Sequence, residues 1–190
     1  IETGEDWFTV SQLDGPYEAA KNHTYQFSRP YKARYLRLTV TGCNPDSYSG
    51  DWLGIYEVLL YTGEPLHISA SYSNDQPAEG YYDGAISVTA THEQKGNEAA
   101  NLFNKIWTNA GTGSRWAAYI LPQSATADFG QILELTQVTM MVVSGRQYYY
   151  QLELSEDGEN WFTIGETYRP YVTAENHTFA FSCLLYTSDA

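Results

Sequence analysis

Gly158-Glu159-Asn160-Trp161-Phe162-Thr163-Ile164 (residues 158–164) decides how this chain is read, because Gly4-Glu5-Asp6-Trp7-Phe8-Thr9-Val10 spells nearly the same thing 154 residues earlier. The match runs on without a gap. Pro16-Tyr17 answers Pro170-Tyr171, and Asn22-His23-Thr24-Tyr25-Gln26-Phe27-Ser28 answers Asn176-His177-Thr178-Phe179-Ala180-Phe181-Ser182. Between residues 1–28 and 155–182, 14 of the 28 aligned positions are identical. A period of this length is too long for a solenoid and is about the size of one domain. The chain is therefore expected to hold parts of two copies of one module, as a window onto a longer tandem array. Residues 1–64 read as the C-terminal part of the first copy, and residues 65–182 as a second copy lacking its last strands.

Beyond Ser28 and Ser182 the copies part. The first continues Arg29-Pro30-Tyr31-Lys32-Ala33-Arg34, and the second Cys183-Leu184-Leu185-Tyr186-Thr187-Ser188-Asp189-Ala190. Residues 183–190 resemble the translation of a sequencing adapter and are set aside from fold reasoning. Natural divergence of the second copy is the alternative.

Outward from the repeat, the periodicity is two. In Tyr35-Leu36-Arg37-Leu38-Thr39-Val40, the residues Leu36, Leu38 and Val40 share one face, and Tyr150–Ser155 alternates likewise. Further strands are expected at Leu53–Tyr61, Ile86–Thr91, Ile132–Val143, Trp161–Ile164 and His177–Ser182. Turn residues separate them at Gly42 to Gly50, Asp83-Gly84, Gly111 to Gly113 and Glu156-Asp157-Gly158. One helical turn is expected, around Glu98–Phe103. Many short strands with polar turns predict an all-β antiparallel sandwich or jelly roll.

The net charge of −13 disfavours a basic face for nucleic acid or anionic membrane. No apolar run reaches the length of a membrane helix, and the mean hydropathy is −0.43. Of the two Cys, one lies in the set-aside tail, so Cys43 stands alone and no disulfide framework is read. The 17 Tyr, 5 Trp and 7 Phe exceed what a core needs. Aromatic loops of this kind suit sugars or peptides, although Tyr also favours strands. No Ser/His/Asp order, His pair or phosphate loop is present, and no enzyme activity is expected.

Five segments, in order, resemble the discoidin-like family, also called coagulation-factor type C domains. Asn101-Leu102-Phe103-Asn104-Lys105-Ile106-Trp107-Thr108 resembles its early segment, and Ala127-Asp128-Phe129-Gly130-Gln131 the close of its next strand. Ser155-Glu156-Asp157-Gly158-Glu159-Asn160-Trp161 is similar to its S-x-D-G-x-x-W hairpin. Ala33-Arg34-Tyr35-Leu36-Arg37-Leu38 and Ile55-Tyr56-Glu57-Val58-Leu59-Leu60-Tyr61 resemble its last two strands. The resemblance covers nearly all of residues 1–182. It implies a galactose-binding-like jelly-roll β-sandwich with adjacent ends. It further implies a non-catalytic carbohydrate-binding module of a larger bacterial secreted or surface protein, appended to a glycoside hydrolase. Its partners would be a glycan or polysaccharide and other modules of the parent protein, with no membrane insertion. A protein- or matrix-binding adhesion module and a structural spacer are the alternatives.

The sugar site of such relatives lies on loops at one end. Arg146 stands where an arginine would bind sugar hydroxyls, which a planar guanidinium matches well; a loop Arg paired with an acid is the plainer reading. Tyr148 and Tyr149 follow it, and at least one is expected to point outward. Tyr48 and Trp52, on the long loop of the first copy, are stacking candidates, although Trp52 equally suits a cap on the sandwich. Trp116 and Tyr119 are expected to pack at the core edge. The resemblance implies a structural Ca²⁺ in bacterial relatives, with Glu57 in the ligand position. Asn104-Lys105 replaces the usual Asp-Gly, and an ordinary strand carboxylate is an equal reading of Glu57. Because the family's ends are adjacent, residues 29–64 could complete the second copy as a permuted domain, with residues 1–28 and 155–182 competing for one position. Otherwise an open edge is expected.

Overall fold

Alternation in residues 35–40 becomes the middle of a sheet: Leu36, Leu38 and Val40 are at most 1% exposed, while Tyr35, Arg37 and Thr39 face the other way and are half-buried. The computed structural model describes residues 23–44, 52–63, 80–143 and 147–167. Among these residues seven strands follow in chain order. They are β1 (His23–Asn44), β2 (Trp52–Tyr61), β3 (Ser87–Ala90), β4 (Trp116–Tyr119), β5 (Gln123–Val142), β6 (Gln147–Ser155) and β7 (Phe162–Thr167). The one helical segment among the described residues is a 3-10 turn at Ala99–Phe103. The protein is therefore all-β. The expected strand at His177–Ser182 lies outside the described residues.

All pairings are antiparallel, in the order β4-β2-β5-β1-β6-β7, with β3 added to β5. β1 and β5 organise the whole. The first part of β5 pairs with Tyr35–Val40 of β1 and with β3; its second part pairs with His23–Ala33 and with β2. Register shifts interrupt the β1–β5 ladder between Gln26 and Tyr31 and between Ala33 and Tyr35. Such irregularities bend strands, and here they divide the long pair into two arms. Apolar side chains from both arms meet in one core: Leu36 and Leu38 of β1, Ile55 and Val58 of β2, Val138 and Met140 of β5, Leu152 of β6 and Ile164 of β7. That is sandwich-like packing.

β2 breaks the alternation because both its faces are covered. Ile55, Val58 and Leu60 enter the main core, while Tyr56, Leu59 and Tyr61 form a second cluster with Met141. Its near-continuous apolar run, Trp52-Leu53-Gly54-Ile55-Tyr56-Glu57-Val58-Leu59-Leu60-Tyr61, is what a doubly covered strand requires.

The β6–β7 hairpin is closed by its own polar residues. Asp157 accepts from the backbone N–H groups of Glu159 and Asn160, both at 2.8 Å, and from the Asn160 amide at 2.7 Å. These donors, the Asn160 N–H foremost, hold its carboxyl well below the usual carboxylate range. Gly158 sits at φ 80, where L side chains are strained, and the Trp161 indole donates to its carbonyl at 3.0 Å.

β1 and β2, read as the end of the first copy, thus share one sheet with β3–β7, read as the second. In that sheet β1 lies between β5 and β6, and β2 between β4 and β5.

Candidate functional site

Strand ends from both arms gather at one end of the sheet. Cys43, near the end of β1, donates its thiol to the Trp52 carbonyl at 3.0 Å. Val143, just past β5, donates its N–H to the Gly54 carbonyl of β2 at 3.2 Å. Trp52 pairs with Tyr119 at the end of β4, and Cys43 with Tyr148 at the start of β6. His92 lies one residue beyond Thr91, whose N–H bonds the Ser124 carbonyl at 2.9 Å.

An aromatic group occupies this end. The Trp52 and Tyr119 rings lie 5.0 Å apart at 38°, and the His92 ring meets Tyr119 edge-on at 4.4 Å. Tyr119 is 38% exposed and Trp52 half-buried. Beside them Ile120 is 67% exposed at φ 61, an uncommon conformation for a β-branched residue. Among the described residues, His92 Nδ1 has no hydrogen-bond partner. These features can stack on one apolar face of a ligand.

Of the residues singled out from sequence, Trp52 belongs to this group. Arg146 and Tyr48 lie outside the described residues; in sequence Arg146 falls between Val143 and Gln147, and Tyr48 between Asn44 and Trp52. Tyr148 and Tyr149 are 0% and 6% exposed, which corrects the expectation that one points outward. Both rings pack inward: Tyr148 belongs to the main core, and a Cβ on Gly42 would lie 3.1 Å from Tyr149 Cδ2, so the glycine there leaves that ring room. Trp116 is fully buried, its indole donating to the His92 carbonyl at 3.1 Å. Tyr119, expected beside it at the core edge, instead opens to solvent. His92 was not singled out: it stands alone in sequence, and only the pairing of β3 with β5 carries it to this end.

Glu57 lies in the second buried cluster's strand, only 1% exposed, and accepts the Ile106 N–H at 3.2 Å. Burial pushes its carboxyl up to about 8, against the pull of the Ile106, Lys105 and Asn104 amides and the Lys105 charge. A raised carboxyl often marks catalysis, but this one is sealed from solvent. A Ca²⁺ site needs six to eight oxygens. Here N–H donors and an ammonium face the carboxylate, and no cluster of three ligating side chains occurs among the described residues. These residues do not fit a calcium ion.

A second polar group lies on the outer face of β1 and β6. Arg37 makes two bonds to Glu153 at 2.7 and 2.9 Å and stacks on Trp161 at 4.1 Å. Arg34 makes two bonds to Asp128 at 2.9 and 3.0 Å. Both guanidinium groups are thereby engaged within the sheet. No family model matches the chain, and neither a curated protein nor a solved structure matches it.

Proposed function

We propose that this chain is a non-catalytic glycan-recognition module of a larger secreted or cell-surface protein, with a galactose-binding-like jelly-roll fold. The observation that carries the reading is the exposed Tyr119 ring beside Trp52 at the end where the strands of both arms terminate. The antiparallel sandwich-like sheet and the five family-like segments in order support it. Arg146, between Val143 and Gln147 in sequence, is assigned the hydroxyl-binding fork in this reading.

Affinity per site is weak. Covering one sugar face hides on the order of 100 Å² of apolar area, or about 2.5 kcal/mol at roughly 25 cal/mol per Å². A micromolar complex needs about 8 kcal/mol, so polar contacts and avidity between repeated copies make up the difference. Glycan-array screening followed by calorimetry tests the reading. Saturable binding to a glycan, weakened by Tyr119→Ala, is expected. No binding across galactosides, hexosamines and plant polysaccharides would overturn it.

The exposed Ile120 favours a second reading, a protein or matrix partner docking on an apolar tip. Binding that survives every free sugar as competitor and is lost in Ile120→Ser would favour it.

A further inference from the structure

The duplicated stretch is divided across the sheet. β7, from the second copy, pairs with β6; the opening of β1, His23–Gln26, from the first, pairs with Gln137–Met140 of β5. Each has a twin elsewhere in the chain: Phe8–Leu13 for β7, and His177–Ser182 for the β1 opening. The twins keep the core-facing residues. Tyr25 and Phe27, 1% and 3% exposed, correspond to Phe179 and Phe181, and Ile164, 3% exposed, to Val10. Residues two apart in a strand share a face, so Phe179 and Phe181 repeat the spacing of Tyr25 and Phe27.

They differ where they touch polar neighbours. Tyr25 Oη hydrogen-bonds Tyr150 Oη. Gln26 Nε2 donates to Oε1 of the fully buried Gln137 at 3.1 Å. Phe179 has no hydroxyl and Ala180 no side-chain amide, so the second-copy segment can make neither bond. The register break between Gln26 and Tyr31 lies just beyond this opening. The opening can thus exchange without disturbing the ladder of Tyr31–Val40.

We propose that the strand position beside Gln137–Met140 is an acceptor site for the second-copy segment Asn176–Ser182, and that Tyr25 and Gln26 keep the first-copy segment in it. The partner is a repeat-encoded strand, and repeated copies interlock by exchanging this strand.

The test adds a labelled peptide of residues 175–182 to the intact chain and reads anisotropy. Tyr25→Phe/Gln26→Ala, which removes the first segment's advantage, is expected to bind the peptide roughly tenfold more tightly than the original chain, the effect of about one buried hydrogen bond. A peptide carrying Phe179→Tyr and Ala180→Gln is expected to bind the original chain more tightly than the plain peptide does. A peptide with Phe181→Asp is expected to bind neither. No saturable binding to either protein, or equal binding by the Phe181→Asp peptide, would overturn the proposal. Gln26→Ala alone repeats the comparison in a less perturbed sheet. Amide exchange gives an independent readout: adding Phe181→Asp to the Gln26→Ala chain is expected to reduce protection at Val138 and Met140, and unchanged protection would count against the exchange.

Discussion

Arg37 and Glu153 stand directly opposite on β1 and β6, and the guanidinium spans the pair with two hydrogen bonds. The carboxylate is only 8% exposed, so it relies on this partner. Arg37→Met leaves Glu153 uncompensated and strips a cation from the Trp161 ring. Discounted for the partial exposure of Arg37, the cost is on the order of 2 kcal/mol. Arg37→Lys keeps the charge but loses the fork, and falls between. Urea unfolding midpoints at constant m-value check the order.

Glu57 gives a pH dependence of opposite sign to the usual carboxylate. Its folded-state value of about 8 lies above the ordinary 4.5, so the folded protein keeps the proton where the unfolded chain releases it. The stabilisation is full below about pH 4.5 and is lost as pH rises toward 8. Glu57→Gln is expected to flatten that decline, gaining on the order of 3 kcal/mol relative to the original chain across the window. Asp157 works the other way. Its value is held below 3.8, first by the Asn160 N–H, so its contribution is present above that pH and lost as pH falls below it. Thermal unfolding from about pH 2 to 9 checks both.

Two glycines report local geometry. A Cβ on Gly54 would come within 2.8 Å of Val143 Cγ2, tighter than packed atoms tolerate. Gly54→Ala is expected to cost about 1–3 kcal/mol by displacing Val143. Gly158→Ala meets Tyr35 at an ordinary 3.4 Å but must adopt φ 80, for about 1 kcal/mol. Differential scanning calorimetry should rank Gly54→Ala as the more damaging.

At the aromatic end, Tyr119→Ala removes the ring face open to solvent. On the glycan-binding proposal, affinity is expected to fall about tenfold to a hundredfold, since stacking would supply roughly 2 kcal/mol. Trp52→Ala is expected to weaken binding and also to lower the melting temperature, because that half-buried ring packs on Tyr119. Calorimetric titration beside a melting curve separates the two roles.

Period-two patterning carried the strands well. Leu36, Leu38 and Val40 alternate inward as their sequence demands, and the polar run Glu156-Asp157-Gly158 closes a hairpin. The length of β1 was hidden, because Arg29 and Pro30 interrupt its apolar pattern while the strand bends through them. The site was less legible. Tyr148 and Tyr149 look like loop aromatics in a polar neighbourhood, and their burial follows from long-range pairing of β6 with Gly42 and Cys43 of β1, which local patterning does not encode. His92 and Tyr119 are 27 positions apart and meet through long-range pairing, which local patterning does not encode.

The central position of β1 also orders events during synthesis. Arg37 waits for Glu153, 116 residues later in the chain. At roughly 5–20 residues per second of translation, Leu36, Leu38 and Val40 stay uncovered on the order of ten seconds after they are made. β1 is thus enclosed only after β6 has emerged, so yield during expression should respond to ribosome-associated holdases more than to any change on the finished surface.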